Sequence, residues 1–125
     1  DNPNVKLIPF IHQMSEAYSA ADIVISRGGA MAIEELKFCG KAMVIIPFPF
    51  ATADHQTENA KSLSKKNAAI CVSQAEMNDG FLETTIIELF KNHLKLESLR
   101  ENAKRFSFPN ALTEISDQIM KLAQV

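Results

Sequence analysis

The residues Arg27-Gly28-Gly29-Ala30 stand between an apolar run, Asp22 to Ser26, and a helical pattern that starts at Ala30. Glycine lets the chain turn sharply and lets a ligand approach the main chain closely. The first N–H groups of a helix have no partner within it, and the helix dipole adds about half a positive charge there. A diphosphate suits such a place. A tight strand-to-helix turn accounts for the glycines at least as well, and the residues alone leave both readings open. The loop is neither a Walker A sequence nor a complete GxGxxG.

Two further groups could act beside it. Glu35 lies about one and a half turns into the helix. A carboxylate there can accept two hydroxyl hydrogen bonds from a ribose, as acidic residues do in dinucleotide folds. A solvated surface glutamate is the plainer alternative, and it is the reading for Glu34. In Asp54-His-Gln-Thr-Glu-Asn59, the residues His55, Gln56 and Asn59 share one side of a helix start. Amides and imidazole offer donors and acceptors without net charge, which suits the hydroxyls of a neutral sugar. A polar helix start with no ligand explains them equally well.

Other chemistries find little support. His12, His55 and His93 lack metal-ligand spacing, so no metal site is expected. There is no GxSxG nucleophile elbow. Cys39 and Cys71 are far apart, without CxxC, and read as small reduced core residues. A formal net charge of −2 with no basic stripe argues against nucleic acid as a partner. No apolar segment approaches the ~20 residues that span a bilayer.

The elements that must position these groups follow from periodicity. Val5–Phe10, Asp22–Ser26, Ala42–Ile46 and Ala68–Ser73 read as strands. Met14–Ala21, Ala30–Cys39, Asp54–Lys65, Phe81–Asn92, Leu96–Phe106 and Ala111–Ala123 read as helices. In the second helix Ala32, Ile33, Leu36 and Cys39 should face inward, and Gly40 should end it. Thr52 or Asp54 should cap the third, and Asn78-Asp-Gly80 marks a turn. Ala42–Ile46 is apolar on both faces, as in a parallel sheet covered by helices. Strand and helix thus alternate four times, an α/β pattern with a mostly parallel sheet. Ligands then belong at the carboxyl ends of the strands, in the loops Phe10–Gln13, Arg27–Ala30 and Phe48–His55. The last helix is amphipathic through Leu112, Ile115, Ile119 and Leu122, and part of that face should lie exposed.

Taken together, "PFIHQMSEAYSAADIVISRGGAMAIEEL", "GKAMVIIPFPFATADHQTENA" and "LSKKNAAICV" resemble the C-terminal domain of the MurG family of bacterial N-acetylglucosaminyltransferases. The resemblance covers nearly the whole chain. It implies a three-layer Rossmann-like α/β domain, the C-terminal half of a GT-B glycosyltransferase, holding UDP-N-acetylglucosamine (UDP-GlcNAc). By position, Phe10 and Ile11 would border the uracil. Arg27, Gly28, Gly29, Ala30, Met31 and Ala32 would line the ribose and diphosphate. Glu35 would hold the ribose hydroxyls, and His55, Gln56 and Asn59 would face the sugar. No cofactor is implied, and no catalytic residue falls within the chain. In the family a serine is common where Gly28 stands and a threonine where Ala32 stands, so two side-chain hydroxyl contacts would be missing here; an acid is usual where His12 stands.

The resemblance further implies that residues 1–125 are a nucleotide-sugar-binding piece of a longer enzyme, lacking the first strand-helix units of its domain. An N-terminal domain would carry the lipid-linked acceptor site, the base and the membrane contact, on the cytoplasmic face of the inner membrane. The start at "DNPNVKLIPF", without an initiator Met, fits that expectation. Two other readings compete with it. One is a non-catalytic nucleotide-sugar subunit of a two-chain transferase of the dolichol pathway. The other is a generic nucleotide-binding module, which would have no use for the His55-Gln56-x-x-Asn59 element.

Overall fold

The computed structural model describes residues 2–50 and 55–123. Its sheet has three parallel strands, β1 (Ile23–Ser26), β2 (Ala42–Ile45) and β3 (Ile70–Cys71), in the order β1-β2-β3. In register, Ile25 faces Val44 and Val44 faces Ile70. The ladder runs past the strand ends, where the Ile46 N–H donates to the Ser26 carbonyl at 2.8 Å and the Val72 N–H to that of Ile45 at 3.0 Å.

The helices are α1 (Met14–Ala20), α2 (Ala30–Phe38), α3 (His55–Lys65), α4 (Gln74–Met77), α5 (Phe81–Lys91), α6 (His93–Arg105) and α7 (Ala111–Ala123). β2 is fully buried, and its alternating side chains feed two cores. Met43 and Ile45 pack with Ile33 and Leu36 of α2 and Ala60 and Leu63 of α3. Ala42, Val44 and Ile46 pack with Leu89 of α5 and Leu96 and Leu99 of α6. A sheet strand apolar on both faces is stable only with such cover on each side, which gives the three expected layers.

Helix ends are set by local chemistry. Gly40 has φ +60°, and the Lys41 N–H donates to the Leu36 carbonyl while the Gly40 N–H donates to that of Lys37. This is the Schellman closure, which needs a left-handed residue. Asn67, at φ +53°, ends α3 in the same way. Ser73 and Glu76 form a reciprocal capping box that starts α4, a one-turn helix that periodicity is too short to reveal. Asn92 accepts the Lys95 N–H in its side chain, so α6 begins at His93 rather than at Leu96.

Other expectations need correction. Val5–Phe10 is not a strand: it has no ladder partner among the described residues, and its side chains are exposed, Leu7 by 96%. Strand-forming residues make a strand only where a neighbour can pair with their backbone. The last strand narrows from Ala68–Ser73 to Ile70–Cys71. Cys39 is exposed rather than inward, because it is the residue at which α2 ends and turns away from the core. Lys37 takes the buried place instead at 6% exposure, its ammonium 2.6 Å from Glu34 and over the Phe108 ring. Glu34 is therefore an ion-pair partner and not merely solvated. The proposed caps Thr52 and Asp54 lie outside the described residues. On α7, Ile115, Ile119 and Leu122 are exposed as expected.

Candidate functional site

The carboxyl ends of the three strands lead into α2, α3 and α4, and side chains from all three connections converge there. The Arg27 guanidinium donates to Gln74 Oε1 at 2.8 Å and lies 5.6 Å from the centre of the Phe48 ring. The Phe48 N–H donates to Gln56 Oε1 at 2.9 Å. Gln56 thus spends its carbonyl oxygen on the β2–α3 loop and keeps its NH2 group for other partners. Gln74 was not among the expected site residues, and Phe48 was expected only as the start of a ligand loop, with no role of its own. The Ser73-x-x-Glu76 box was the available signal for a helix start, and hence for Gln74, at this edge.

The two glycines have different reasons to be glycine. Neither has a positive φ; among the described glycines only Gly40 and Gly80 do. A backbone conformation barred to other residues therefore does not explain them. At Gly28 the cause is packing: a Cβ would stand 2.8 Å from the Gln56 carbonyl oxygen and 3.0 Å from its Cβ. Gly28→Ala is expected to lower stability by about 1–3 kcal/mol, the usual cost of overpacking. Urea denaturation would check this, and an unchanged midpoint would show that α3 can yield.

At Gly29 a Cβ would meet nothing within 4 Å among the described residues. Gly29 is the N-cap of α2, with extended geometry and no side-chain cap. No acidic residue lies in the first turn to offset the dipole. The N–H groups there, at Ala30 to Ala32, are thus left for something outside the helix, and an anion is the complementary group.

Glu35, further along α2, is not free. The Tyr18 hydroxyl, on α1, donates to its Oε2 at 2.9 Å. Burial first, and the hydrogen bond and charge of Glu35 next, push the Tyr18 phenol up to about 12, so it remains a donor across the neutral range. Tyr18 is half-buried and packs against the core shared by α2 and α3. Asn59 lines a groove of about 160 Å³ with Ala30, Ile33 and Glu34. His55 is exposed at the first position of α3. Phe10 and Ile11 are exposed ahead of α1, with the Phe10 ring edge-on to His12. The structure therefore joins Arg27, Gly28 and Gln56 directly and ties Glu35 to α1. It leaves Phe10, Ile11 and His55 at the surface. A larger, mostly apolar groove of about 480 Å³ runs beside Glu35, lined by Glu34, Phe38, Phe108 and Ala111, and others lie at the α5–α6 corner and along α7. Among the described residues no cluster of His, Cys, Asp and Glu could hold a metal ion. No helix there is long and apolar enough to cross a membrane.

A parallel α/β sheet covered on both faces, with an uncapped helix start at its carboxyl edge, is the architecture of nucleotide-binding domains. The family model described as "Glycosyltransferase family 28 C-terminal domain" matches residues 1–115, and the chain belongs to that family. It is 39% identical over 121 residues to the UDP-N-acetylglucosamine--N-acetylmuramyl-(pentapeptide) pyrophosphoryl-undecaprenol N-acetylglucosamine transferase of Flavobacterium psychrophilum. That alignment covers 97% of this chain and 33% of the relative. The protein of the same description from Bacteroides fragilis is 40% identical over 98% of this chain and 32% of its own length. The crystal structure of Acinetobacter baumannii MurG superposes with a TM-score of 0.84 at 37% identity, over 93% of this chain and 33% of that one. The glycotransferase of kitacinnamycin shares the fold at a TM-score of 0.67 and 24% identity, covering 93% of this chain and 30% of its own. The chain thus spans about a third of the length of the relatives it matches.

Proposed function

We propose that this chain is the donor-binding domain of a MurG-type transferase. It would hold UDP-GlcNAc for inverting transfer of GlcNAc to a lipid-linked muramyl-peptide acceptor in peptidoglycan synthesis, at the cytoplasmic face of the membrane. The names of the Flavobacterium psychrophilum and Bacteroides fragilis relatives state this donor and acceptor for those proteins. The observation that carries the reading is the start of α2. Among the described residues Gly29 is required there by neither conformation nor packing, and none of them pairs with the N–H groups that follow it.

On this reading the N–H groups of Ala30 to Ala32 hold the diphosphate and Arg27 adds positive charge beside it. Glu35 accepts the ribose hydroxyls, and Phe10 with Ile11 borders the uracil. His55, the NH2 group of Gln56 and Asn59 hydrogen-bond the hexose. The domain binds and orients the donor. The acceptor, and the base that takes its proton, would come from the part of the relatives that this chain does not match.

Isothermal titration with UDP-GlcNAc, UDP and UDP-glucose tests the proposal. UDP-GlcNAc should bind more tightly than UDP-glucose; equal affinities, or no binding, would sink it. Asn59→Ala should cost UDP-GlcNAc about 1 kcal/mol, the scale of one hydrogen bond, and leave UDP unchanged. Gln56→Ala should also favour UDP over the sugar nucleotide, with an added loss for both because the Phe48 N–H loses its acceptor. Asn59→Ala losses of equal size for UDP and UDP-GlcNAc would remove Asn59 from the hexose.

A further inference from the structure

We infer that Tyr18 is a positioning residue for nucleotide binding: its hydroxyl fixes the Glu35 carboxylate in the rotamer that receives the ribose. The inference rests on the proposal that Glu35 holds the ribose hydroxyls, and adds a residue of α1 to that site. Glu35 is on the exposed side of α2, where a long flexible side chain samples several rotamers, and ordering it on binding costs affinity. The 2.9 Å hydrogen bond from Tyr18 orders it beforehand.

The geometry has three features that suit this role. Tyr18 is anchored, since its ring packs against the core that α2 and α3 share. The bond spans 17 positions of sequence between separate helices, so it sets the carboxylate relative to the fold and not only to its own turn. It engages Oε2 and leaves Oε1, as well as further lone-pair capacity on Oε2, for two hydroxyls. A tie that only docked α1 would use the same atoms, so the test must separate the two roles.

Titrations with UDP and with 2′,3′-dideoxy-UDP would be run on the wild-type chain, Tyr18→Phe, Glu35→Ala and the double variant. Tyr18→Phe should weaken UDP roughly 3- to 10-fold, the scale of one ordered side chain. The deficit should vanish with the dideoxy nucleotide, and the double variant should bind UDP no worse than Glu35→Ala alone. Equal losses for both nucleotides would make Tyr18 merely structural and overturn the inference. So would wild-type UDP affinity in Tyr18→Phe when Glu35→Ala is impaired. Wild-type affinity in Glu35→Ala, or no UDP binding by the wild type, would instead bring down the ribose assignment itself. Should Tyr18→Phe fail to fold, the wild type still decides, because Tyr18 is the sole tyrosine. Its ring signal in a tyrosine-labelled NMR sample should move on adding UDP and stay put with the dideoxy nucleotide. A signal that ignores UDP, or moves equally with both, would overturn the inference.

Discussion

Glu35→Ala is expected to weaken UDP binding by about 1–3 kcal/mol, the range for hydrogen bonds to a charged group. Tyr18 holds the carboxylate at 2.9 Å, and on the proposed reading the wild type would meet the ribose with little reordering. Removing it takes away the acceptor and leaves the Tyr18 hydroxyl without its partner. The side chain is otherwise exposed, so the fold should survive, and thermal melting should show a small change beside the change in affinity. A folded variant with wild-type affinity would return Glu35 to the role of a tie between α1 and α2.

The largest effect expected is a complete one: the purified 125-residue chain should transfer no sugar. Transfer needs an acceptor hydroxyl, a base beside it and a cleft that excludes water. At the carboxyl edge of this sheet none of the described polar side chains is placed as a base. Arg27 meets Gln74, Gln56 meets the Phe48 N–H, and Glu35 meets Tyr18. No carboxylate converges with His55 among the described contacts. The exposed apolar side chains of α7, Ile115, Ile119 and Leu122, should also make the isolated chain prone to self-association. Release of UDP from UDP-GlcNAc in the presence of a lipid-linked acceptor, followed over time, is the measurement. Steady GlcNAc transfer by this chain would refute the placement of the base and acceptor outside it.

The parts of the fold that could be read from sequence are those whose cause is local. Ala42–Ile46 could be recognised as the central strand because uninterrupted apolar residues fit only a position covered on both sides. Gly40 marked the end of α2 because a left-handed residue is required there. Gln56 was singled out for its amide and does lie beside Gly28, though its carbonyl oxygen serves the loop. What escaped depends on partners distant in the chain. Val5–Phe10 has strand chemistry and no strand to pair with, which no local pattern reports. Lys37 looks like a solvent-facing cation until the distant Phe108 ring comes to lie against its ammonium. The Tyr18–Glu35 bond was hidden for the same reason: Tyr18 fitted an apolar helical stripe, and nothing local marks a phenol that reaches another helix.

Gly28 also bears on how the site could move. Its backbone lies so close to Gln56 that a methyl group would not fit between them. The turn before α2 and the first turn of α3 are therefore in direct contact, and neither can move closer to the other. Grasping a nucleotide sugar by folding one of these segments over it would break that contact. If donor capture involves closure that keeps this contact, the hinge lies outside this pair, and the two segments should travel together as a single jaw. Two spin labels, one on each segment, should then keep a constant separation as UDP-GlcNAc is added.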